Sequence, residues 1–481
     1  MKKNILLILT DQWRGDCLGC AGHPDIITPN LDALAQDGML FDRAYASAPS
    51  CIPARACLTT GRTSYHAGFM GYADGTFWDY PKTMMTELRD AGYQTMNVGK
   101  THFYPQRALL GFEINTLYDP IKIDANYVSD YRSWLKRETN GKVVDTADLF
   151  DCNSCLYYPW MAEEYLHPTA WTVNTAIEHL ENRDTTRPFF LQTSFHRPHP
   201  PFDPPREFFD LYRDKKLAPI SYGDWCEEFG IQDSEINAWC GRRSEETLDL
   251  MRKAYYASIT HIDYSIGKLI HWLKEKRLYN DTLIVFTSDH GELLGDHYMY
   301  RKISPFEGSA KIPLIIKGTE GFRRSCRSNV PVTHYDLMPT FLDYVGAEIP
   351  DCVDGISMMP TLTEDAIPER TWIHGEHSGY GNNGWQFIWD KQYKYIWNTM
   401  SGKEYFFDID NDPHELTNLA VKADWAEKIA SYRSRLIAIL EQRPQDGLTE
   451  NGQLKAGTIL PPVCASFREN SMRKKKECGM L

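Results

Sequence analysis

Short apolar segments that do not alternate with polar residues recur along the chain, and helical patterns separate them. Five of these segments are predicted strands: NILLILT, QTMNVG, PFFLQTSF, DTLIVFTSD and IPLIIKG. The helical patterns include TAWTVNTAIEHLENR and ETLDLMRKAYYASITHIDYSIGKLIHWLKEK. Continuous apolar strands are typical of sheets that are buried on both faces, as parallel sheets are. The sequence therefore predicts an α/β fold with a mostly parallel sheet flanked by helices.

The pattern changes after about residue 365, where aromatic residues become frequent. WQFIWDKQYKYIWN and KEYFFDIDNDP predict antiparallel strands, and DWAEKIASYRSRLIAILEQR predicts one amphipathic helix. A chain of 481 residues is also too long for one small core. We therefore expect a main domain at 1–365, a smaller C-terminal α+β subdomain with an antiparallel sheet at 366–443, and an extended tail at 444–481.

Charge and apolar runs limit the classes of partner. The net charge of −13 argues against a nucleic-acid partner, because phosphate binding needs a basic face. It leaves room for a small anionic substrate, which needs only a local positive pocket. The apolar run Ile5 to Leu9 is too short for a signal peptide, and no segment approaches ~18 apolar residues. We therefore expect a cytoplasmic protein without a membrane span.

The cysteines leave one alternative open. Twelve cysteines in this length do not make a disulfide scaffold. There are two Cys-x-x-Cys pairs, Cys17 with Cys20 and Cys152 with Cys155, which together could supply the ligands of a four-cysteine zinc site. The pairs lie far apart along the chain, so we favour free structural thiols.

Polar residues follow the predicted strands at the points where these strands end. In open α/β sheets, ligands bind outside the carboxyl ends of the strands. The residues at these positions, with one lysine from the later segment MYRKISPF, are Asp11, Gln12, Lys100, His102, His196, His199, Asp289, His290 and Lys302. The oxygen ligands among them suit Ca²⁺ or Mg²⁺, and the lysines and histidines beside a metal would form an anion pocket. For each acidic residue alone, a helix N-cap is the simpler interpretation, and the lysines and histidines would otherwise be surface residues.

The segment SCIPARACLTTGR combines cysteine, proline and arginine at a predicted helix start. We expect Cys51 at the N-cap of a helix through ARACLTTG, where free N–H groups and the helix dipole favour an anion. Arg55 lies one turn further on and faces the same end. The alternative is a buried thiol that caps a helix, and we assign Cys57 to that role.

This segment closely resembles the signature of the sulfatase family, Cys/Ser-x-Pro-Ser/Ala-Arg followed by Thr-Gly-Arg. LTDQ, TPNLDALA, GYQTMNVGKTH, FHRPHPPF, TSDHGELLGDH and FFDIDNDPHELTNLA match the family in the same order, so the resemblance covers nearly the whole chain. It implies an alkaline-phosphatase-like α/β fold. It also implies that Cys51 is oxidised to formylglycine by a formylglycine-generating or radical sulfatase-maturating enzyme during synthesis.

The resemblance implies a role for each candidate residue. The metal, Ca²⁺ or Mg²⁺, would be held by Asp11, Gln12, Asp289 and His290 and by an oxygen of the hydrated formylglycine 51. This hydrate would attack the sulfur of the substrate. Arg55 would stabilise that hydrate, and Lys100, Lys302 and one histidine would neutralise the sulfate oxygens. Lys302 or a histidine would aid the leaving group, and His102 would expel sulfate in the second step. The choice between His196 and His199 stays open, with His199 favoured.

One departure is Gln12, where many sulfatases have a second aspartate, which predicts a weaker metal affinity. The implied function is hydrolysis of a small organic sulfate ester: a carbohydrate, steroid or aryl sulfate. One alternative is a phosphonate monoester or phosphodiester hydrolase of the same superfamily. Those enzymes carry neutral hydroxyl residues at the positions of Lys100 and His102 in GKTH. The Lys100 and His102 pair therefore argues against this alternative. The other is a non-catalytic binding protein that leaves Cys51 unmodified. GEHSGYGNNGW, at 375–385, is a candidate to overhang the pocket, and an oligomer is compatible with the sequence.

Overall fold

The computed structural model describes residues 3–235, 237–366, 370–379 and 384–480. Part of the candidate overhanging segment, residues 380–383, lies outside the described residues. The strands are, in chain order, β1 (Asn4–Asp11), β2 (Met39–Phe41), β3 (Ala44–Tyr45), β4 (Gln94–Gly99), β5 (Ile114–Leu117), β6 (Phe189–Pro198), β7 (Thr282–Ser288), β8 (Leu314–Lys317), β9 (Cys326–Ser328), β10 (Val332–Thr333), β11 (Trp372–His377), β12 (Trp385–Asp390), β13 (Tyr393–Asn398), β14 (Glu404–Asp408), β15 (Thr449–Glu450) and β16 (Gln453–Leu454).

The α-helices follow the same numbering principle. They are α1 (Pro29–Gln36), α2 (Cys51–Thr60), α3 (Met84–Asp90), α4 (Asp130–Glu138), α5 (Pro168–Glu181), α6 (Arg206–Asp210), α7 (Glu245–Glu275), α8 (Glu307–Ala310), α9 (Leu337–Val345), α10 (Met359–Glu364), α11 (Ala426–Leu440) and α12 (Ala465–Glu477).

Eight strands form the main sheet in the order β5-β4-β6-β1-β7-β8-β2-β9. The five strands from β5 to β7 run parallel to one another, whereas β8 is antiparallel to both of its neighbours. The five predicted strands all belong to this sheet. The prediction of a mostly parallel α/β sheet is therefore confirmed, and it places the ends of β1, β4, β6 and β7 along one edge.

Alternate side chains of β1 enter two separate cores, one on each face of the sheet. Leu6 and Ile8 pack with residues of α1, α4, α5 and α7. Ile5, Leu7 and Leu9 pack with residues of α2, α3, α9 and α10 on the opposite face. Burial of both faces explains why the strand reads as an unbroken apolar run.

The helix that carries the signature segment starts one residue earlier than the sequence predicts. Ser50 has the extended backbone of an N-cap, and Cys51 is the first helical residue, so the prediction of Cys51 as N-cap is wrong by one position. The free N–H groups of a helix belong to its first turn, so Cys51 still lies at this end. The helix ends at Thr60 and is capped by Gly61, whose φ of 67° is the left-handed conformation that favours glycine.

The C-terminal sheet confirms the predicted antiparallel subdomain, with strand order β11-β12-β13-β14. One face carries Trp385, Phe387 and Trp389 against aromatic residues of the main domain. The other face packs against α11, the predicted amphipathic helix. The aromatic residues that mark this region in the sequence thus form two apolar layers.

The tail at 444–481 is not extended throughout, and that expectation is corrected. It forms the strand pair β15 and β16 and then α12. Phe467 of α12 stacks on Tyr80 and meets the edge of Phe69, so the tail packs against the main domain. Although the sequence of α12 is highly charged, this contact buries apolar surface and holds the helix against the main domain.

The states of the cysteines and the apolar character of the helices follow from the structure. All twelve cysteines are free thiols, and neither Cys-x-x-Cys pair belongs to the candidate metal-binding group found among the described residues. Within the described part of the chain, every helix is too short or too polar to cross a membrane.

Candidate active site

Two carboxylates meet where β1 and β7 end side by side. Thr10 pairs with Ser288 in register, so Asp11 and Asp289 leave the sheet as neighbours. One ligand atom from each of Asp11, Cys51, Asp289 and His290 lies within 4.8 Å of the others, and all four residues are buried. The polar residues that follow β1 and β7 thus lie together in one cluster, as the positions of the predicted strand ends indicate. The oxygen atoms and imidazole of this cluster could together hold a divalent cation.

His290 has the protonation pattern of a ligand. Its Nδ1 lies 2.8 Å from the Gly291 carbonyl oxygen, which can only accept, so Nδ1 carries the proton and Nε2 is left with a lone pair. Nε2 is 3.5 Å from both Asp11 Oδ1 and Asp289 Oδ1. Burial lowers the pKa of His290 to about 4, although Asp289 opposes the shift, so the ring is neutral near pH 7.

Gln12 links this cluster to the cationic side of the site. It has a φ of 71°, and its backbone N–H donates to Asp289 Oδ1 at 3.1 Å. Its amide nitrogen donates to Glu292, and its amide oxygen accepts from Lys302 Nζ at 2.8 Å. Glu292, which the sequence analysis did not single out, therefore fixes the direction in which the amide oxygen of Gln12 points.

Cys51 points its sulfur into the centre of the cluster. Sγ lies 3.2 Å from Lys302 Nζ, 3.3 Å from His290 Nε2 and 3.6 Å from Asp11 Oδ1. The side chain is 1% exposed and lines a cavity of about 210 Å³. A group on the Cβ of residue 51 can thus meet the candidate metal ligands and a molecule in the cavity.

Arg55 lies one helical turn after Cys51 but contacts the carboxylate side of the cluster. Its Nε donates to Asp289 Oδ2 at 2.9 Å, and Nη1 donates to the Lys100 carbonyl oxygen at 2.9 Å. Burial alone would lower the pKa of Arg55, but Asp289 and Asp11 raise it above its usual value. The guanidinium stays charged, and its contacts hold Asp289 in place.

Lys100 forms a buried ion pair with Asp11 just past the end of β4. Burial disfavours both charges, yet the attraction between them dominates. The pKa of Asp11 falls well below its usual value, and that of Lys100 rises above its own. Asp11 is therefore ionised and available to a cation, and Lys100 is a fixed positive charge in the cavity wall.

His102 stands beside two residues that the sequence analysis missed. Its Nε2 is 3.4 Å from the Tyr72 hydroxyl and 3.5 Å from Asp74 Oδ1. Burial and Lys100 lower its pKa, but hydrogen bonds with Asp74 and Cys51 outweigh them and raise it. Tyr72 and Asp74 come from a loop with no strand-end signal, so only the fold brings them to His102.

The two histidines after β6 take different places. His199 lines the cavity, and its Nδ1 lies 3.0 Å from the Pro200 carbonyl oxygen, which leaves Nε2 without a proton. His196 does not line the cavity; it packs behind, with its ring 4.8 Å from that of His199. Burial lowers the pKa of both rings. Of the two candidates, the geometry puts His199 at the site.

The cavity wall combines the candidate residues with loop residues that sequence reasoning did not find. Its lining consists of Ser50, Cys51, Tyr72, Asp74, Lys100, His102, Ile121, Asn153, His199, Trp239, Arg301, Lys302 and Ile303. A larger cavity of about 510 Å³ beside Arg14 contains none of the candidate site residues. The smaller cavity is therefore the candidate active site. A buried nucleophile position, a cation-binding cluster and several positive charges converge there.

Comparisons with known proteins identify the family to which the chain is similar. A family model described as Sulfatase matches residues 3–347, and one described as N-sulphoglucosamine sulphohydrolase, C-terminal, matches 295–442. An arylsulfatase of Clostridium perfringens is 41% identical, over 95% of this chain and 98% of its own. A choline-sulfatase of Rhizobium meliloti is 32% identical, over 87% of this chain and 82% of its own. The phosphonate monoester hydrolase of Agrobacterium radiobacter superimposes with a TM-score of 0.78 at 27% identity, covering 92% of this chain and 96% of its own.

The fold and the site thus define a hydrolase of the alkaline-phosphatase-like α/β class. Within that class, the chain belongs to the sulfatase family and is a sulfatase, as the family model and the 41% identical arylsulfatase establish. The resemblance in the sequence is confirmed, and the reading as a non-catalytic binding protein is not supported.

Proposed function

We propose that the protein hydrolyses a small organic sulfate ester, a carbohydrate, steroid or aryl sulfate, with formylglycine at position 51 as the nucleophile. The observation that carries this proposal is the position of Cys51 Sγ, 3.2 Å from Lys302 Nζ and 3.3 Å from His290 Nε2. Cys51 would reach its active form through a formylglycine-generating or radical sulfatase-maturating enzyme in the cytoplasm. The hydrated aldehyde would supply a hydroxyl nucleophile.

The donor set fits a hard divalent cation. Asp11 and Asp289 offer carboxylate oxygens, Gln12 an amide oxygen and His290 a neutral Nε2. We assign Ca²⁺ to these residues, with Mg²⁺ as the alternative, because oxygen ligands dominate the set. A bound cation would stabilise negative charge on the nucleophile and on the sulfate oxygens.

The remaining residues handle charge and protons. Lys100 and Lys302 place two ammonium groups against the sulfate oxygens, where charge-assisted hydrogen bonds are strong. His199 Nε2 carries no proton while Nδ1 donates to Pro200, so it donates to a sulfate oxygen only after protonation, which the negative charge of the substrate favours. In this arrangement either Lys302 or His199 can give a proton to the leaving oxygen.

His102 is the residue that separates the sulfatase reading from the phosphonate hydrolase reading. It lines the same cavity as Cys51, so it can take the proton from a hydroxyl on residue 51; the aldehyde C=O then re-forms as the C–O bond to the sulfate breaks. Asp74 orients the ring of His102. The similarity to the phosphonate monoester hydrolase makes that alternative worth testing directly.

The experiment compares para-nitrophenyl sulfate with para-nitrophenyl phenylphosphonate on one preparation. We expect a higher kcat/KM for the sulfate. His102→Ala should release about one nitrophenol per active site and then stop, because the sulfated enzyme is not resolved. His66→Ala is the matched control, because His66 is exposed and pairs with Asp354 instead; it should turn over normally. A preference for the phosphonate, or steady turnover by His102→Ala, would contradict the proposal.

A further inference from the structure

Arg301 is a buried arginine in the cavity wall whose guanidinium has no ion-pair partner among the described residues. It is 5% exposed and lines the same cavity as Cys51. Its Nε is buried and has no hydrogen-bond partner, and no carboxylate among the described residues lies within ion-pair distance of its guanidinium. A buried, unpaired guanidinium costs free energy, so its position calls for an acceptor that enters the cavity.

The other cations of the site already have partners. Lys100 pairs with Asp11, Arg55 with Asp289, and Lys302 donates to Gln12 and approaches Cys51. These groups surround the place where the sulfate reacts. Although Arg301 precedes Lys302 in the chain, its guanidinium forms no ion pair with any of these groups, which separates it from the residues assigned to the sulfate.

The guanidinium is also held in one place. It lies over the Trp239 ring with 4.2 Å between Cζ and the ring centroid, and Trp239 lines the cavity too. The Arg301 backbone is fixed separately: its N–H donates to Glu292, and its carbonyl accepts from Leu293 N at 2.7 Å. A stacked guanidinium presents its N–H groups in a rigid planar fork that matches two oxygens of an anion.

Asp74, the carboxylate in the cavity lining, is not an ion-pair partner of Arg301. Asp74 is occupied by His102 and Tyr72, whose contacts lower its pKa against the effect of burial. Its carboxylate is thus committed to the His102 side of the cavity. Arg301 has no ion-pair partner among the residues that the structure describes, so an anionic group on the substrate could bind it without displacing an internal partner.

We propose that Arg301, stacked on Trp239, binds a second anionic oxygen group on the alcohol part of the substrate, a carboxylate or a second sulfate. This inference rests on the proposed function and narrows its substrate class. The physiological substrate is then a small sulfate ester with at least one further acidic group. Neutral aryl sulfates are expected to be poorer substrates.

The test compares substrates that differ only in that group. For a carboxylate, a carboxyphenyl sulfate is compared with the carbamoylphenyl sulfate of the same substitution pattern. The ionised carboxylate is less electron-withdrawing than the amide, so the carboxyphenolate is the poorer leaving group. A higher kcat/KM for the carboxyphenyl sulfate therefore reports binding of the carboxylate. For a second sulfate, resorcinol bis-sulfate is compared with its monosulfate. We expect kcat/KM to favour the acidic member of at least one pair by about 10- to 100-fold, as for a charge-assisted hydrogen bond.

Variants assign that preference to Arg301. Arg301→Gln should bring the ratio of kcat/KM within the preferred pair close to one, and Arg301→Lys should keep part of it. Arg243→Gln is the matched control, because Arg243 stacks on Tyr300 at 3.7 Å outside the cavity and donates to Ser234 and Glu235. It should leave the ratio unchanged.

Equal kcat/KM values within both pairs in the wild-type protein would overturn the inference, and this result does not depend on any variant folding. The inference would also be overturned if Arg301→Gln lowered kcat/KM equally for both substrates of the preferred pair and left their ratio unchanged. Arg301 would then act on the reacting sulfate. Failure of the proposed function is distinguishable, since then no sulfate, not even para-nitrophenyl sulfate, would be hydrolysed.

Discussion

Gly99 shows how a single backbone position shapes the site. It ends β4 with a φ of 105°, and a Cβ at this position would clash with the carbonyl oxygen of Ser194 on β6. Lys100 and His102 follow directly. Close approach of the two strands thus sets where the cationic side of the cavity begins.

We expect Gly99→Ala to lower the free energy of unfolding by about 3 kcal/mol and to reduce sulfate turnover, because the clash moves Lys100 and His102. Urea unfolding and kcat/KM measure the two effects. Gly141→Ala is the control: Gly141 has a φ of 73°, but its Cβ would meet nothing within 4 Å. Equal behaviour of the two variants would show that crowding at Gly99 is unimportant.

At the residue scale, the sequence predicts groups that follow buried strands and misses groups that arrive on loops. Asp11, Lys100, His199 and Asp289 each come directly after an apolar run whose end position is visible. Tyr72, Asp74, Trp239 and Arg301 lie in segments without periodicity, and only the tertiary fold brings them to the cavity. The one-position error at Cys51 is of the usual size for a helix boundary.

At the element scale, α12 is the clearest departure from the sequence-based picture. Its residues are highly charged, so no apolar face predicts a helix there. The helix is instead defined by its docking, through Phe467 on Tyr80 and Phe69 and through Ser471, whose hydroxyl accepts from Phe77 N at 2.7 Å. The helix α4 also has no counterpart among the elements predicted from the sequence.

We expect Phe467→Ala to lower the free energy of unfolding by about 1–3 kcal/mol, less than for a fully buried phenylalanine, because Phe467 is half-buried. The measurement is chemical unfolding followed by tryptophan fluorescence. Met472→Ala, on the exposed side of the same helix, should cost under about 0.5 kcal/mol. Equal stability of Phe467→Ala and the wild type would mean that α12 is not anchored by this contact.

At the scale of the whole molecule, a buried ion pair of the C-terminal subdomain also forms a hydrogen bond with the main domain. Glu376 on β11 accepts two hydrogen bonds from Arg443, at 2.8 and 2.9 Å, and one from Ser64 of the main domain at 2.8 Å. Burial would raise the pKa of Glu376, but Arg443 dominates and lowers it from 4.5 to about 2. The folded state therefore favours the ionised carboxylate.

Because the folded pKa is depressed, this contribution is fully present above about pH 4.5 and is lost as the pH falls toward about 2. It amounts to about 3 kcal/mol at neutral pH. We expect the difference in unfolding free energy between wild type and Glu376→Gln to shrink by about 2 kcal/mol between about pH 6 and about pH 3. A difference independent of pH would contradict the ionised assignment.

The central claim is that residue 51 carries out sulfate ester hydrolysis as formylglycine. The most direct measurement is the mass of the peptide that contains residue 51, taken on several preparations together with their para-nitrophenyl sulfate turnover. Formylglycine makes that peptide about 18 Da lighter than cysteine does. We predict turnover in proportion to the lighter fraction, and a loss of at least about 1000-fold in Cys51→Ala. Full turnover by a preparation that contains only unmodified Cys51, or by Cys51→Ala, would contradict the account.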